Sequence, residues 1–186
     1  MARALPYSII DADTHVTEPA DLWTSRVAGH LRQRVPRVEW DAGRSEQAWY
    51  IGDQYINSVG VTAIAGWKEP YPSHPPRYED AHPGAYDAHA RLRYMDEIGI
   101  WAMVLYPNVG GFGNQVFGRL DDAEAKLACV HAYNDFLVEW AAADRRRLIP
   151  VMTLPFWDVP AAVAEIEGGA ALGHRGVLFT GGPQSF

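Results

Sequence analysis

Apolar and polar positions along this chain keep two different periods, and the stretches that carry them alternate. Tyr7-Ser8-Ile9-Ile10 leads into Asp11-Ala12-Asp13-Thr14-His15, which reads as a strand with an apolar approach. Side chains on a strand alternate with a period of two, so Asp11, Asp13 and His15 are expected on one face. From residue 86 the period changes: Ala88, Leu92, Met95 and Ile98 recur at helical spacing between Asp87 and Gly99, predicting a helix of about thirteen residues. Ile100–Tyr106 is apolar at every position, the pattern of a strand covered on both sides, and a glycine-rich loop over 107–113 follows it. The alternation then repeats, with a helix over 122–144, a strand over 148–154, a helix over Val159–Leu172 and a strand over 176–179. Four strands separated by helices imply right-handed parallel crossovers, hence an α/β fold with ligand sites at the strands' C-terminal ends. A Gly181-Gly182-Pro183 turn follows the fourth strand, and no covering helix comes after it.

The segment between the first strand and the first long helix is less regular. Pro19 to His30 suits a short helix or turn carrying Leu22 and Trp23, and residues 35–85 read as an insertion within a single domain spanning 1–186. The insertion holds a possible hairpin over 47–56 and a stretch over 69–76 too rich in proline for regular structure. Long irregular segments of this kind usually serve as lids or binding loops, or stay disordered.

Composition narrows the function classes. At 186 residues and 48% hydrophobic, the chain can build a sizeable core. A net charge of -7, with both signs interspersed and no Lys/Arg cluster among aromatics, argues against a nucleic-acid surface. The one basic run, Arg145-Arg146-Arg147, is expected to cap a helix C-terminus. No stretch approaches the roughly 20 apolar residues that span a bilayer, so no membrane partner is expected. Cys129 has no second cysteine to pair with and sits among Leu127, Ala128 and Val130, the setting of an inert buried thiol; with no leader pattern, a cytoplasmic location is the expectation.

The chemistry concentrates in the opening triplet. Carboxylates and an imidazole on an inward face are costly to bury unless a metal, a substrate or partner charges compensate them. Asp13 and His15, roughly 6.5 Å apart at Cα on a strand, can converge on one divalent ion at the strand exit. Asp11 would lie one layer deeper, supporting the site or bound to backbone, and Glu18 would orient His15 or cap the next turn. The alternative is that all four are turn and cap residues. An Asp-x-Asp after an apolar strand also opens phosphoryl-transfer enzymes of the haloacid dehalogenase type. Those need a Lys and an acidic pair at later strand ends, whereas Lys126 here falls inside a helix. His30, His74, His82 and His89 read as loop histidines, and His131 and His174 show no ligand spacing. No glycine pattern of a nucleotide site follows any strand; Gly110-Gly111-Phe112-Gly113 lacks the spacing. Asn134, on the long helix beside Tyr133, Phe136 and Leu137, is expected to tie helix to loop by hydrogen bonds.

Five motifs, in order, carry a family resemblance: Ile10-Asp11-Ala12-Asp13-Thr14-His15-Val16-Thr17-Glu18-Pro19, Arg91-Leu92-Arg93-Tyr94-Met95-Asp96-Glu97-Ile98-Gly99-Ile100, Tyr133-Asn134-Asp135-Phe136-Leu137, Arg147-Leu148-Ile149-Pro150-Val151-Met152-Thr153-Leu154-Pro155 and Leu172-Gly173-His174-Arg175-Gly176-Val177. With them the chain resembles the amidohydrolase-2 group of metal-dependent hydrolases and decarboxylases, which includes aminocarboxymuconate semialdehyde decarboxylase. The resemblance implies a TIM-type (β/α)8 barrel whose first strand gives two metal ligands, often His-x-His. Asp13 and His15 hold those places here, with Asp11 pointing inward beneath the metal. Aspartate in the first place tilts the ion from zinc, the first expectation, toward manganese or magnesium. The family's remaining histidines and its late aspartate, the proton carrier, have no positions before Phe186; the chain corresponds to about half of a barrel of roughly 250 residues, as a truncated or partial product would. The implied activity is hydrolysis or decarboxylation of a small, carboxylated substrate, with Trp23, Tyr106, Asn108 and Phe112 lining the pocket. The competing expectation is a non-catalytic fragment that binds a partner or forms a homo-oligomer through its uncovered fourth strand.

Overall fold

The computed structural model describes residues 7–180 and Gly182; the 181–183 turn, Gly182 apart, lies outside the described residues. In chain order the elements are β1 (Ile9–His15), α1 (Leu22–Arg26), β2 (Arg37–Asp41), β3 (Glu46–Ile51), β4 (Gln54–Ser58), α2 (Ala88–Ile98), β5 (Ile100–Tyr106), α3 (Gln115–Gly118), α4 (Ala123–Ala141), β6 (Leu148–Met152), α5 (Val159–Leu172) and β7 (Gly176–Val177). The strands β1, β5, β6 and β7 form one parallel sheet in that order, so each helical crossover places the next strand beside the last. This is the parallel α/β arrangement that the alternating periods imply, and four strands of it match the half-barrel that the resemblance implies.

Local chemistry sets the helix limits. The Asp87 carboxylate accepts the Ala90 N–H at 2.6 Å to start α2, and Gly99 ends it with a left-handed φ of 77° that only glycine adopts without strain. Asp122 caps α4 through the Glu124 and Ala125 N–H groups, and Asp158 caps α5 through that of Ala161. Two strands are shorter than the pattern predicts. β6 stops at Met152 because the Asn134 side chain takes the Thr153 backbone groups, and the regular pairing of β7 ends at Val177.

One face of the sheet packs against α2 and α4, with Met95, Met103, Leu105, Cys129, Leu137 and Leu148 in the core between them. The other face, which would be a barrel's interior, is not closed over by the four strands. On that face of β5, opposite Met103 and Leu105, Ala102 is buried but Val104 and Tyr106 are only half-buried, so the expectation of a strand covered on both sides is met fully on the helix side alone. Arg147 also departs from its expected role. It reaches forward to the Trp101 and Ile100 carbonyls at 2.8 and 3.1 Å and pairs with Asp96, tying the start of β5 to α2 rather than capping α4.

Residues 37–58 form a second, antiparallel sheet in the order β2-β3-β4, and the hairpin expected over 47–56 is its β3–β4 turn. Short 3-10 turns at Gly60–Thr62, Tyr78–Asp80 and Pro83–Ala85 carry the chain back to α2, and the proline-rich 69–76 stretch has no regular structure. The small sheet is joined to the barrel core by Trp49, whose ring meets Trp23 edge-on at 5.3 Å, while Trp23 meets Phe117 at 5.8 Å.

Candidate functional site

The exit of β1 does not keep strict alternation. Asp11 pairs with Met103, Thr14 with Leu105 and His15 with Tyr106, so four steps along β1 match three along β5. A bulge between Asp11 and Thr14 absorbs the extra residue. Asp11 and His15 therefore point to opposite faces, which corrects the expectation of one common face with Asp11 beneath the metal. Asp11 lies on the helix side with Met103, accepts the Asp13 N–H at 3.2 Å, and its charge is felt by Arg91. It is a backbone-bound support of the bulge. A cavity of about 490 Å³ opens there between β1, the 61–65 segment and α2, bounded by Asp11, Thr14, Arg91 and Tyr94 and reaching His15 and Asn108.

Asp13 and His15 converge on the other side. Asp13 Oδ1 lies 3.7 Å from His15 Nε2, and the Asp13 side chain is 76% exposed. The other ring nitrogen, Nδ1, lies 2.9 Å from the Pro107 carbonyl, an acceptor only, so Nδ1 carries a proton and, in the neutral ring, Nε2 is the nitrogen left with a lone pair. An acidic oxygen and an imidazole lone pair thus open onto the same space, a donor set suited to Zn²⁺, Mn²⁺ or Mg²⁺. Among the described residues no third His, Cys, Asp or Glu joins them, so they fit as two donors of a divalent-ion site and not as a complete one.

Two of the four expected pocket residues form a wall beside His15. Phe112 meets its ring edge-on at 5.3 Å, Tyr106 lies at 6.1 Å, and the two rings are 5.4 Å apart. Asn108 holds the exit in shape by donating its amide to the Val16 carbonyl at 2.8 Å. Trp23 has no place there. It is completely buried, and its indole N–H donates to the Cys129 carbonyl at 3.0 Å, so it is a core residue.

Glu18 is fully buried just beyond β1. Its Oε1 accepts the backbone N–H groups of Asn108 and Val109 at 2.8 and 3.0 Å, and the Tyr78 hydroxyl donates to its main-chain carbonyl. Burial pushes its carboxyl up to about 7 despite those donors. Arg91, to which the sequence reading assigned no role, is buried with its guanidinium on the Gly84, Ala85 and His15 carbonyls. Its position was the available signal, three residues after Ala88 and four before Met95 on the apolar face of α2.

The other polar expectations fall into place around this. Asn134 is the hydrogen-bonding tie expected of it, exchanging bonds with Thr153 N and O and donating to Glu165, while the Glu165 carboxylate also holds His131. Cys129 is buried and its thiol is pushed far up by desolvation. His30 and His74 pair with Glu124 and Glu46. Lys126 sits within α4 over the Trp157 ring, not at a strand end where a phosphoryl-transfer site needs it.

Parallel strands backed by helices on one face, with an acid–imidazole pair at the mouth of the first strand, give this chain the architecture of the first half of a TIM-type barrel. The solved structures that resemble it agree. An amidohydrolase, map2389c, from Mycobacterium avium subsp. paratuberculosis K-10 is 26% identical with a TM-score of 0.69, over 94% of this chain and 50% of that one. IDCase from Metarhizium anisopliae (18% identity, TM-score 0.55, 92% of this chain and 42% of that one) shares the fold. So does a 5-carboxyvanillate decarboxylase from Novosphingobium aromaticivorans DSM 12444, solved with manganese and 4-hydroxy-3-methoxy-5-nitrobenzoic acid (18%, 0.53, 92% and 41%). The chain spans about half the length of these neighbours or less. No protein-family model matches it, and no curated protein sequence does. No helix among the described residues is long and apolar enough to cross a membrane.

Proposed function

We propose that this chain supplies the first-strand half of a divalent-metal site in an enzyme that hydrolyses or decarboxylates a small carboxylated substrate. The observation that carries the reading is the convergence of Asp13 Oδ1 and His15 Nε2 at 3.7 Å, with Nδ1 already committed to the Pro107 carbonyl. A metal-bound histidine commonly donates its other ring N–H to an oxygen acceptor, which fixes the tautomer that ligation needs. A bound divalent ion would supply Lewis acidity toward a carboxylate or water oxygen. Asp13 and His15 would hold it; the tilted rings of Tyr106 and Phe112 would present an aromatic wall to the substrate and restrict water on that side. Manganese is the ion named in one neighbour, and an acidic oxygen in place of a second imidazole favours such a hard ion over zinc. A cytoplasmic setting is proposed on the single, buried cysteine.

Metal content measured after equilibration with Mn²⁺ or Zn²⁺ and desalting tests the site. Wild type is expected to retain ion, and Asp13→Ala and His15→Ala each to lose most of it. Equal content in all three proteins would sink the assignment.

A further inference from the structure

The exits of β1 and β5 are stapled together at four points within a few residues. The Val16 N–H meets the Tyr106 carbonyl at 3.4 Å, the Asn108 amide meets the Val16 carbonyl, His15 Nδ1 meets the Pro107 carbonyl, and Glu18 Oε1 takes two backbone N–H groups at Asn108 and Val109. Among these groups Glu18 is the only ionisable one that is fully buried. Its second oxygen, Oε2, is buried without a partner among the described residues, as is the Tyr133 hydroxyl, which feels its charge. A buried carboxyl with one oxygen unsatisfied is costly merely to end a turn, where a shorter polar group would serve. Its reach explains it: Glu18 fixes the two amides that immediately follow Pro107.

We infer that Glu18 is a positioning residue for His15. By clamping Asn108 and Val109 it holds the Pro107 carbonyl where it accepts the His15 Nδ1 proton, and so turns Nε2 toward Asp13. The same clamp anchors the loop that carries Phe112 against the His15 ring. Glu18 touches neither the ion space nor the aromatic wall. This rests on the metal reading above for its purpose, but not for its physical content, because the ring's protonation pattern exists without an ion.

The test is the tautomer of His15, read from long-range ¹H–¹⁵N spectra of the metal-free chain, together with Mn²⁺ affinity by calorimetry. In wild type His15 is expected as the Nδ1–H form. Glu18→Gln keeps an oxygen that accepts both backbone N–H groups, so the Nδ1–H form should persist. Glu18→Asp, one methylene shorter, cannot reach both; His15 should exchange between tautomers and Mn²⁺ binding should weaken about ten- to a hundred-fold, the range found when an outer hydrogen-bond partner of a metal histidine is removed. Glu18→Ala should do the same, and Glu18→Asp keeps the question open should the alanine variant fail to fold. A wild-type His15 that is not Nδ1–H, or an Asp variant with an unchanged spectrum, overturns the inference. Absence of Mn²⁺ binding in wild type, with the spectra responding as expected, overturns the metal reading and leaves Glu18 as the positioning residue.

Discussion

Replacing Glu18 by glutamine isolates the free energy of ionising a carboxyl in the core. The side chain is completely buried, and desolvation raises its carboxyl from 4.5 to about 7. Converted at 1.36 kcal/mol per unit, that rise is worth about 3 kcal/mol. The unfolded chain releases this proton near pH 4.5, while the folded chain keeps it until about pH 7, so within that window the folded state binds more protons. Stability therefore stands at its full value below pH 4.5, declines as pH rises toward 7, and levels off above it. Glutamine titrates nothing, so the variant lacks this component, and the other ionisable groups cancel when the two proteins are compared at each pH. Urea unfolding followed by tryptophan fluorescence at pH 4.5, 6 and 7.5 should show the variant gaining on wild type by about 3 kcal/mol across the series. Any fixed penalty from burying the new amide shifts all points equally. A wild-type-minus-variant difference that is flat with pH would refute the claim that Glu18 ionises against a desolvation cost.

Two further outcomes bear on the packing that holds the site. Trp23→Ala should cost about 3–5 kcal/mol in the same unfolding assay, as for large buried aromatics truncated to alanine, because it empties the junction between Trp49, Phe117 and α4. Asn134→Ala should cost on the order of 2–3 kcal/mol by leaving the Thr153 backbone groups without their partner, with exchange of the Thr153 amide accelerated in hydrogen-exchange measurements.

How far the sequence led can be judged element by element. Ile100–Tyr106 and Val159–Leu172 were legible to the residue, because their limits are written locally in Asp caps, left-handed glycines and unbroken apolar runs. Asp13 and His15 were legible as a pair, because neighbours two apart on a strand exit need no tertiary information to converge. Asp11 was not: one residue of register slip, set by pairing with a strand ninety residues away, reverses its face, and no local residue announces it. Trp23 looked like a mouth residue from its place after β1, but its environment is made by Trp49 and Phe117, which arrive from distant parts of the chain. The Pro107 carbonyl that fixes His15 is backbone, and composition carries no sign of it.

The contact between Trp23 and Trp49 also limits what can move. With its indole bonded to α4 and its faces filled by Trp49 and Phe117, the antiparallel sheet of residues 37–58 is moored to the barrel wall, and swinging it aside would mean opening the core itself. The stretch over 61–65 is held by lighter contacts: Ala63 is buried with Ala81 and Ala85 and the Thr17 hydroxyl donates to the Thr62 carbonyl at 3.2 Å, while Val61 and Ile64 stand exposed at the rim of the cavity. Within residues 37–65, the firmly and the lightly held parts are separated by only a few residues.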